Sequence, residues 1–178
     1  MFPNWFNSVK PYFERNCPTT PLRALQIGTY TGDATEWLLA NRDIEYIHDV
    51  DTWEGSDEQV HKDLDFNSVE DYYNSRFKDN KKVLKHKMKS DTFFWNNVNS
   101  YNFIYIDGDH TALQTAIDGL NAFRLLEVGG VLAFDDYEWH SQGEAYLEPK
   151  LGVDSFLSIC KSKIKILEIG YQVWVQKC

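Results

Sequence analysis

Residues 103–137, FIYIDGDHTALQTAIDGLNAFRLLEVGGVLAFDDY, are the segment most informative about the fold. It contains two apolar runs, Phe103–Ile106 and Val131–Phe134, separated by a segment with helical spacing of its apolar residues. Uninterrupted apolar runs are typical of parallel strands that are buried on both faces. A strand, a helix and a second such strand predict a right-handed βαβ unit. Each run leads directly into acidic residues, beginning with Asp107 and Asp135.

The same alternation of strand and helix extends along the rest of the chain. Strands are predicted at 23–27, 44–50, 83–88, 103–106 and 131–134, and in a closing hairpin over 164–175. Helices are predicted at 32–40, from Ser68 through 77, from a cap at Asp91 through 98, and at 111–126 and 153–160, with a turn at 128–130. The pattern predicts a Rossmann-like, doubly wound α/β fold. We expect a mostly parallel seven-stranded sheet with helices on both faces, the polar third strand at an edge, and a C-terminal antiparallel hairpin.

Charge and cysteine content narrow the functional classes. The chain has 178 residues, a net charge of −9 and three cysteines, an odd number without a CxxC pair. The negative charge disfavours nucleic acid as a partner, and the cysteine pattern argues against a disulfide framework or a zinc site. The N-terminal residues do not resemble a signal peptide, and no stretch has the length of a membrane span. We expect one domain over 1–178, located in the cytoplasm, without a membrane partner.

A glycine-containing turn follows the first predicted strand. Gly28 and Gly32 are four residues apart in the stretch GTYTG. Gly28 allows a sharp turn, and the free N–H groups at the start of the following helix favour a negatively polarised ligand group. The turn is not GxGxxG, so a pyrophosphate-binding NAD site is less well supported. A simple βα turn without any ligand is equally compatible with this motif.

A carboxylate follows the second predicted strand. Asp51 lies about 20 residues beyond the glycine turn, the spacing at which an acidic residue binds the ribose hydroxyls of a nucleoside cofactor. Asp49 is the alternative residue for this role. If Asp51 has no function, it is simply a solvated carboxylate in a loop.

Acidic residues also follow the fourth and fifth strands. Asp107 and Asp109 follow one strand, and Asp135 and Asp136 follow the next. The carboxyl ends of parallel strands meet at one edge, where crowded carboxylates repel one another unless a cation neutralises them. Oxygen ligands of this kind suit Mg²⁺. The alternative is that these residues cap helices or bond to their own loops.

Four stretches together resemble class I S-adenosylmethionine (SAM) dependent methyltransferases. They are QIGTYTGDA at 26–34, DVDTW at 49–53, FIYIDGDH at 103–110 and LLEVGGVLAFDDY at 125–137. The similarity is greatest to the metal-dependent O-methyltransferases of the catechol and macrocin types, and it covers about 23–137. Two departures are Gln26, where the family usually has an acid, and Asp135-Asp136, where catechol-type enzymes have Asp-Asn.

The resemblance implies a role for individual residues. In the glycine turn, Gly28, Thr29, Tyr30 and Gly32 would hold the methionine part of SAM. Asp51 would bind the ribose, Ser90 and Asp91 the adenine, and Asp107 would also contact the cofactor. The metal ligands would be Asp107, Asp135 and Asp136. Asp109 would be the catalytic base, with His110 and His140 as alternative bases.

The expected function is Mg²⁺-assisted O-methylation of a small-molecule hydroxyl with SAM as the donor. By analogy alone, a sugar is the first candidate acceptor and a catechol-like diol the second. Contacts to the acceptor are expected from 2–13, 53–66 and 139–149. Two alternatives remain: a metal-dependent hydrolase that uses the Asp107, Asp135 and Asp136 cluster, and a SAM-binding module without catalysis. The sequence leaves the oligomeric state open, a homodimer included.

Overall fold

The computed structural model describes residues 2–55, 62–141 and 143–178. In this part of the chain seven strands form one sheet in the order β3-β2-β1-β4-β5-β7-β6. The strands are β1 (Leu22–Ile27), β2 (Ile44–Asp51), β3 (Val83–Lys87), β4 (Tyr101–Ile106), β5 (Leu126–Phe134), β6 (Ile164–Ile169) and β7 (Val173–Lys177). Strands β1 to β5 pair in parallel, and β7 pairs antiparallel with both β5 and β6. The predicted fold class, the edge position of the third strand and the closing hairpin are confirmed.

Helices cover both faces of the sheet. They are α1 (Phe6–Asn16), α2 (Asp33–Asn41), α3 (Phe66–Phe77), α4 (Ser90–Asn96), α5 (Ala112–Leu125) and α6 (Pro149–Cys160). One core cluster joins the sheet to α4, α5 and α6, and includes Phe93, Ala122 and Phe156. The opposite cluster joins it to α1 and α2 and includes Phe13 and Trp37. Among the described residues, no helix is long and apolar enough to cross a membrane.

Several predicted boundaries were wrong. Helix α3 begins at Phe66 rather than Ser68, because Asp65 is its N-cap and accepts a hydrogen bond from the Asn67 N–H. Asp91 lies in the first turn of α4 and does not cap it. Helix α6 begins at Pro149, where a proline is well accommodated because the first turn does not use its N–H. Strand β5 begins at Leu126, so the predicted turn at 128–130 lies within the strand.

Helix α1 was not predicted. Its apolar residues Phe6, Val9 and Phe13 have helical spacing, but Pro11 lies inside the helix. A proline at that position removes a backbone hydrogen bond of the helix. Packing compensates for this loss, because the Phe13 ring is fully buried and lies edge-on against the Trp174 ring, with centroids 5.1 Å apart.

The parallel strands bring their carboxyl ends to one edge of the sheet. The last residue of β1, Ile27, pairs with Val50 on one side and with Ile106 on the other, and Ile106 pairs with Phe134. The strand order reverses between β1 and β4, because β2 and β3 lie on one side of β1 and β4 and β5 on the other. Open α/β sheets bind their ligands at such a point. The residues that follow β1, β2, β4 and β5 therefore surround one cleft.

A stacked imidazole pair links β2 to β3 on the side of α4. His48 Nδ1 lies 3.0 Å from His86 Nε2, and the ring planes are 17° apart. Burial, together with the nearby His86, lowers the pKa of His48 to about 4. A histidine in an unfolded chain titrates near 6.5, so between about pH 4 and 6.5 the unfolded state binds the additional proton. His48 therefore makes the folded protein less stable as the pH falls through this window.

We expect His48→Phe to reduce the loss of stability in acid. A phenyl ring suits this position, since Phe93 and Tyr101 already pack edge-on against the His48 ring, and it has no proton to bind. Urea unfolding at pH 7 and pH 5 should show a smaller fall in the free energy of unfolding for the variant than for wild type. The exposed His140, replaced by Gln, is the control. Equal falls for wild type and His48→Phe would contradict this account.

All three cysteines lie among the described residues and are free. Cys17 and Cys160 are buried, whereas Cys178 is exposed. Burial raises the pKa of the Cys17 thiol to about 12, so this side chain stays protonated at neutral pH.

Candidate cofactor and metal site

The glycine turn after β1 has a left-handed backbone at three positions. Gly28, Tyr30 and Gly32 have φ values of 80°, 51° and 81°. A Cβ atom on Gly28 would lie 1.8 Å from the Asp107 carbonyl oxygen, and one on Gly32 would lie 2.3 Å from the Phe77 ring. Glycine is therefore required at 28 by the end of β4 and at 32 by α3. The turn is held directly against the start of the acidic segment.

Asp51 fastens this turn to the end of β2. Its Oδ2 accepts hydrogen bonds from the N–H groups of Thr29 and Tyr30 at 2.7 and 2.8 Å. Its Oδ1 accepts from the Trp53 N–H at 2.7 Å. A carboxylate has about four acceptor positions, so roughly one is left for a ligand. The structure thus places Asp51 at the predicted edge of the sheet, with about one acceptor position left for a ligand hydroxyl.

The turn also contains buried polar atoms that suit a polar ligand. Thr29 Oγ1, Tyr30 Oη and Gln26 Oε1 are buried, and within the described residues they have no hydrogen-bond partner. Burial raises the pKa of Tyr30 to about 12, with a smaller contribution from the negative charge of Asp33. Buried polar groups in proteins almost always have a partner. These unsatisfied groups, two in the turn and one near the end of β1, fit a ligand rich in donors and acceptors, such as the amino acid part of SAM.

Asp49, the alternative ribose ligand, lies elsewhere. Its side chain is fully buried, and its Oδ2 accepts hydrogen bonds from Thr35 Oγ1 at 2.8 Å and from the Tyr73 hydroxyl at 2.7 Å. Burial raises its pKa to about 6 despite these two bonds. Asp49 joins β2 to α2 and α3, and it is not accessible to a nucleoside.

Ser90 and Asp91 begin α4 and are tied to α5 by a single amide. Gln114 Nε2 donates to Ser90 Oγ and to Asp91 Oδ1, both at 3.2 Å, and to Asp118 Oδ1 at 3.0 Å. Asp118 is buried, which raises its pKa to about 6, and its Oδ2 lies 3.9 Å from the position of a Cβ on Gly108. This network connects the predicted adenine contacts to the loop after β4.

Beside the glycine turn, two carboxylates and an imidazole converge. Within the described residues, Asp107, His110 and Asp136 each offer a ligand atom, and these atoms lie within 4.8 Å of one another. His110 Nε2 is 3.0 Å from Asp136 Oδ2 and 3.9 Å from Asp107 Oδ1. Asp136 has a φ of 56°, an uncommon conformation for a residue with a side chain. We call these three residues the acidic cluster.

Asp135 does not join the acidic cluster. Its Oδ2 accepts a hydrogen bond from the Tyr105 hydroxyl, and its Oδ1 accepts one from the Asp136 N–H at 2.8 Å. Burial, and then the charges of Asp107 and Asp136, raise its pKa well above the usual range. The structure therefore brings together two of the three predicted metal ligands and adds His110 as the third group.

The surroundings shift the pKa values of the two carboxylates of the cluster in opposite directions. Desolvation raises the pKa of Asp107, and His110, whose Nε2 lies 3.9 Å from Asp107 Oδ1, only partly offsets this. Burial also opposes the ionised form of Asp136, but hydrogen bonds from His110 and Tyr171 outweigh it and lower the pKa. Asp136 is thus the more firmly ionised member of the cluster.

The predicted base, Asp109, is exposed in the loop after β4 and is not one of the three clustered groups. Its Oδ1 accepts a hydrogen bond from the Thr111 N–H at 2.8 Å, and Thr111 itself is the N-cap of α5. His140, one alternative base, is exposed and paired with Glu148 at 3.1 Å. His110, the other, belongs to the acidic cluster, and its ring lies 5.0 Å from that of Trp139.

Comparison with known proteins identifies the family. A family model described as a methyltransferase domain matches residues 25–137. The chain belongs to this methyltransferase family. The match runs from β1 to the residues after β5 and so includes the glycine turn and the acidic cluster. No curated protein matches the chain in sequence.

Several solved methyltransferases have the same fold. An O-methyltransferase from Bacillus cereus in complex with SAH is 16% identical with a TM-score of 0.61, over 99% of this chain and 82% of that one. The N-methyltransferase NodS from Bradyrhizobium japonicum WM9 is 12% identical with a TM-score of 0.64, over 97% and 95%. The O-methyltransferase NovP is 19% identical with a TM-score of 0.61, over 88% and 72%. Identities this low establish the fold and leave the acceptor open.

The chain is therefore a SAM-dependent methyltransferase of class I fold, as the motifs predicted. The sequence did not assign functions to Tyr105, Tyr171 or Gln114, whose side chains hold Asp135, Asp136 and the Ser90–Asp91 pair. A signal for Tyr105 was present, because a polar hydroxyl in the apolar run FIYI needs a buried partner. Tyr171 lies 35 residues from Asp136 in sequence and gave no such signal.

Proposed function

We propose that this methyltransferase transfers the methyl group of SAM to a hydroxyl oxygen of a small molecule, with a divalent cation bound at the acidic cluster. The observation that carries the proposal is the placement of that cluster directly beside the glycine turn, where Gly28 touches the Asp107 carbonyl. A cofactor held by the turn and a hydroxyl held at the cluster would then be neighbours. The free cysteines support a reducing compartment such as the cytoplasm as its location.

The donor set of the cluster fits a divalent cation. Two carboxylates supply the oxygen ligands that Mg²⁺ prefers, and the cation would offset their mutual repulsion. The imidazole of His110 suits Mn²⁺ and other transition ions better than Mg²⁺. When bound, such a cation would orient the acceptor hydroxyl and lower its pKa, while SAM would supply an electrophilic methyl group.

The residues of the chain would perform three tasks. Asp51, with the hydroxyls of Thr29 and Tyr30, would hold and orient the cofactor. Asp109, exposed in the loop between Asp107 and His110, would accept the proton that the attacking hydroxyl releases. Trp139, whose ring packs against His110, would form one wall of the acceptor site. Alignment of donor and acceptor would contribute much of the acceleration.

The acidic surface favours a small acceptor over nucleic acid. A chain with a net charge of −9 repels phosphate backbones at long range. A sugar hydroxyl is the first acceptor class to screen and a catechol-like diol the second. Both acceptor classes are suggested by the resemblance of the sequence motifs to O-methyltransferases of the macrocin and catechol types.

Calorimetric titration of the protein with SAM, with and without Mg²⁺ or Mn²⁺, tests the proposal. We expect saturable one-to-one binding of SAM, and separately of Mn²⁺. Thr29→Val keeps the side-chain shape but removes a buried hydroxyl at the turn, so it should weaken SAM binding without affecting Mn²⁺ binding. Thr92→Val, on the exposed first turn of α4, is the matched control.

Three outcomes would contradict the proposal in different ways. Absence of SAM binding would refute the cofactor assignment, and metal-dependent hydrolysis without SAM would favour the hydrolase alternative. SAM binding with no transfer to any hydroxyl, with or without metal, would favour a binding module.

A further inference from the structure

Both oxygens of the Asp136 carboxylate are held by side chains from other parts of the chain. Oδ2 lies 3.0 Å from His110 Nε2, at the start of the segment that leads into α5. Oδ1 accepts a hydrogen bond of 2.6 Å from the hydroxyl of Tyr171, in the turn between β6 and β7. The direction of this carboxylate therefore depends on a residue of the C-terminal hairpin.

The backbone of Tyr171 is itself fixed on two sides. Its carbonyl oxygen accepts a hydrogen bond from the Tyr137 N–H at 2.9 Å, next to Asp136 in the chain. Its N–H donates to the Tyr12 hydroxyl of α1, also at 2.9 Å. A Cβ atom on Gly170 would lie 2.5 Å from the same Tyr12 hydroxyl, so α1 and the turn are in close contact.

A second contact holds α1 on the hairpin. Arg15 pairs with Glu168 of β6 at 2.6 Å, and Asn16 donates to the same carboxylate. Helix α1, the β6–β7 turn and the end of β5 thus form a connected chain of contacts that ends on Asp136. The side chains of Tyr12 and Tyr171 are only partly buried, so neither residue is part of the apolar core.

From this arrangement we infer that Tyr171 is a positioning residue, which holds Asp136 in the orientation that binds the divalent cation. The inference rests on the proposed metal site. Residues that hydrogen-bond to a metal-ligating side chain fix its direction, and their loss typically weakens metal binding about 10- to 100-fold. Tyr171→Phe removes the hydroxyl and keeps the ring, so Asp136 Oδ1 loses its donor while the packing of the turn stays.

The test is calorimetric titration of the full chain with MnCl₂, together with SAM titration and thermal unfolding. Tyr171→Phe should bind Mn²⁺ about tenfold more weakly than wild type, with SAM affinity within about twofold and little change in Tm. Tyr46→Phe is the matched control, because it removes a tyrosine hydroxyl that donates to the Ser100 carbonyl at 3.1 Å near the other end of the sheet. It should bind Mn²⁺ as wild type does.

A second variant follows the chain of contacts one step further. Tyr12→Phe leaves Tyr171 intact but removes the acceptor of its N–H, so we expect a smaller loss of Mn²⁺ affinity in the same direction. Equal Mn²⁺ affinity of wild type and Tyr171→Phe would overturn the inference. So would parallel losses of Mn²⁺ affinity, SAM affinity and Tm, which would indicate a purely structural role. If wild type itself does not bind Mn²⁺, the proposed metal site is refuted and this inference with it.

Discussion

Replacing Gly28 by alanine is expected to destabilise the protein by about 2–5 kcal/mol and to abolish SAM binding. A left-handed backbone costs a non-glycine residue roughly 1–2 kcal/mol. The new Cβ would also lie 1.8 Å from the Asp107 carbonyl oxygen, so either the turn or the end of β4 must move. Overpacking of that kind adds roughly 1–3 kcal/mol. For a chain of this size the combined loss corresponds to a fall in Tm of about 10 °C.

Gly129 provides a matched control. Its φ of 82° is nearly the same as that of Gly28, but a Cβ there would meet nothing within 4 Å. Gly129→Ala should therefore show the backbone cost alone, about 1 to 2 kcal/mol, with SAM binding unchanged. Thermal and urea unfolding of both variants, with SAM titration, make the comparison. Similar losses in the two variants would refute the close contact between the glycine turn and β4.

Asp109→Asn is expected to lower kcat by about 10²- to 10⁴-fold, the usual contribution of a positioned base. Asparagine retains an oxygen that can accept the Thr111 N–H, so the start of α5 should remain intact while the basic carboxylate is lost. SAM affinity and Tm should stay at wild-type values. The measurement is single-turnover methyl transfer to an acceptor found in the screen, at saturating SAM.

The control for this variant is Asp79→Asn, an exposed carboxylate in the turn before β3. It should leave both kcat and SAM affinity unchanged. An unchanged kcat in Asp109→Asn would remove Asp109 from the mechanism, and His110 would become the first candidate base. A parallel loss of SAM binding would instead indicate that Asp109 supports the cofactor site.

The sequence predicts those parts of the fold in which the local pattern of apolar residues matches the burial of the element. The apolar runs Phe103–Ile106 and Val131–Phe134 became central parallel strands, because only strands covered on both faces require such continuous apolar character. Gly28 and Gly32 were predicted at a turn, and their positive φ angles confirm it. Helix α1 escaped prediction because contacts with the sheet, rather than its own sequence, compensate for Pro11.

The candidate site was predicted in position but not in detail. The sequence cannot tell which of two adjacent carboxylates turns toward a cleft, and in the structure it is Asp136, whose φ is left-handed. The result is that Asp136 joins His110, whereas Asp135 turns toward Tyr105. Partners such as Tyr171 come from distant parts of the chain, and single-sequence patterns carry no information about contacts of that range.

The three thiols differ in exposure, so the molecule can be labelled chemically at a single site. Strand β7 runs antiparallel to β5, so it begins beside Phe134, at the carboxyl ends of the parallel strands. Cys178 follows β7 and therefore lies near the amino ends of those strands. Cys17 and Cys160 are buried, and burial keeps their thiols protonated. A maleimide fluorophore should therefore couple at Cys178 alone, far from the cleft. Its emission anisotropy would then report the tumbling of the whole molecule, and so its self-association, without occupying the places where donor and acceptor are expected to meet.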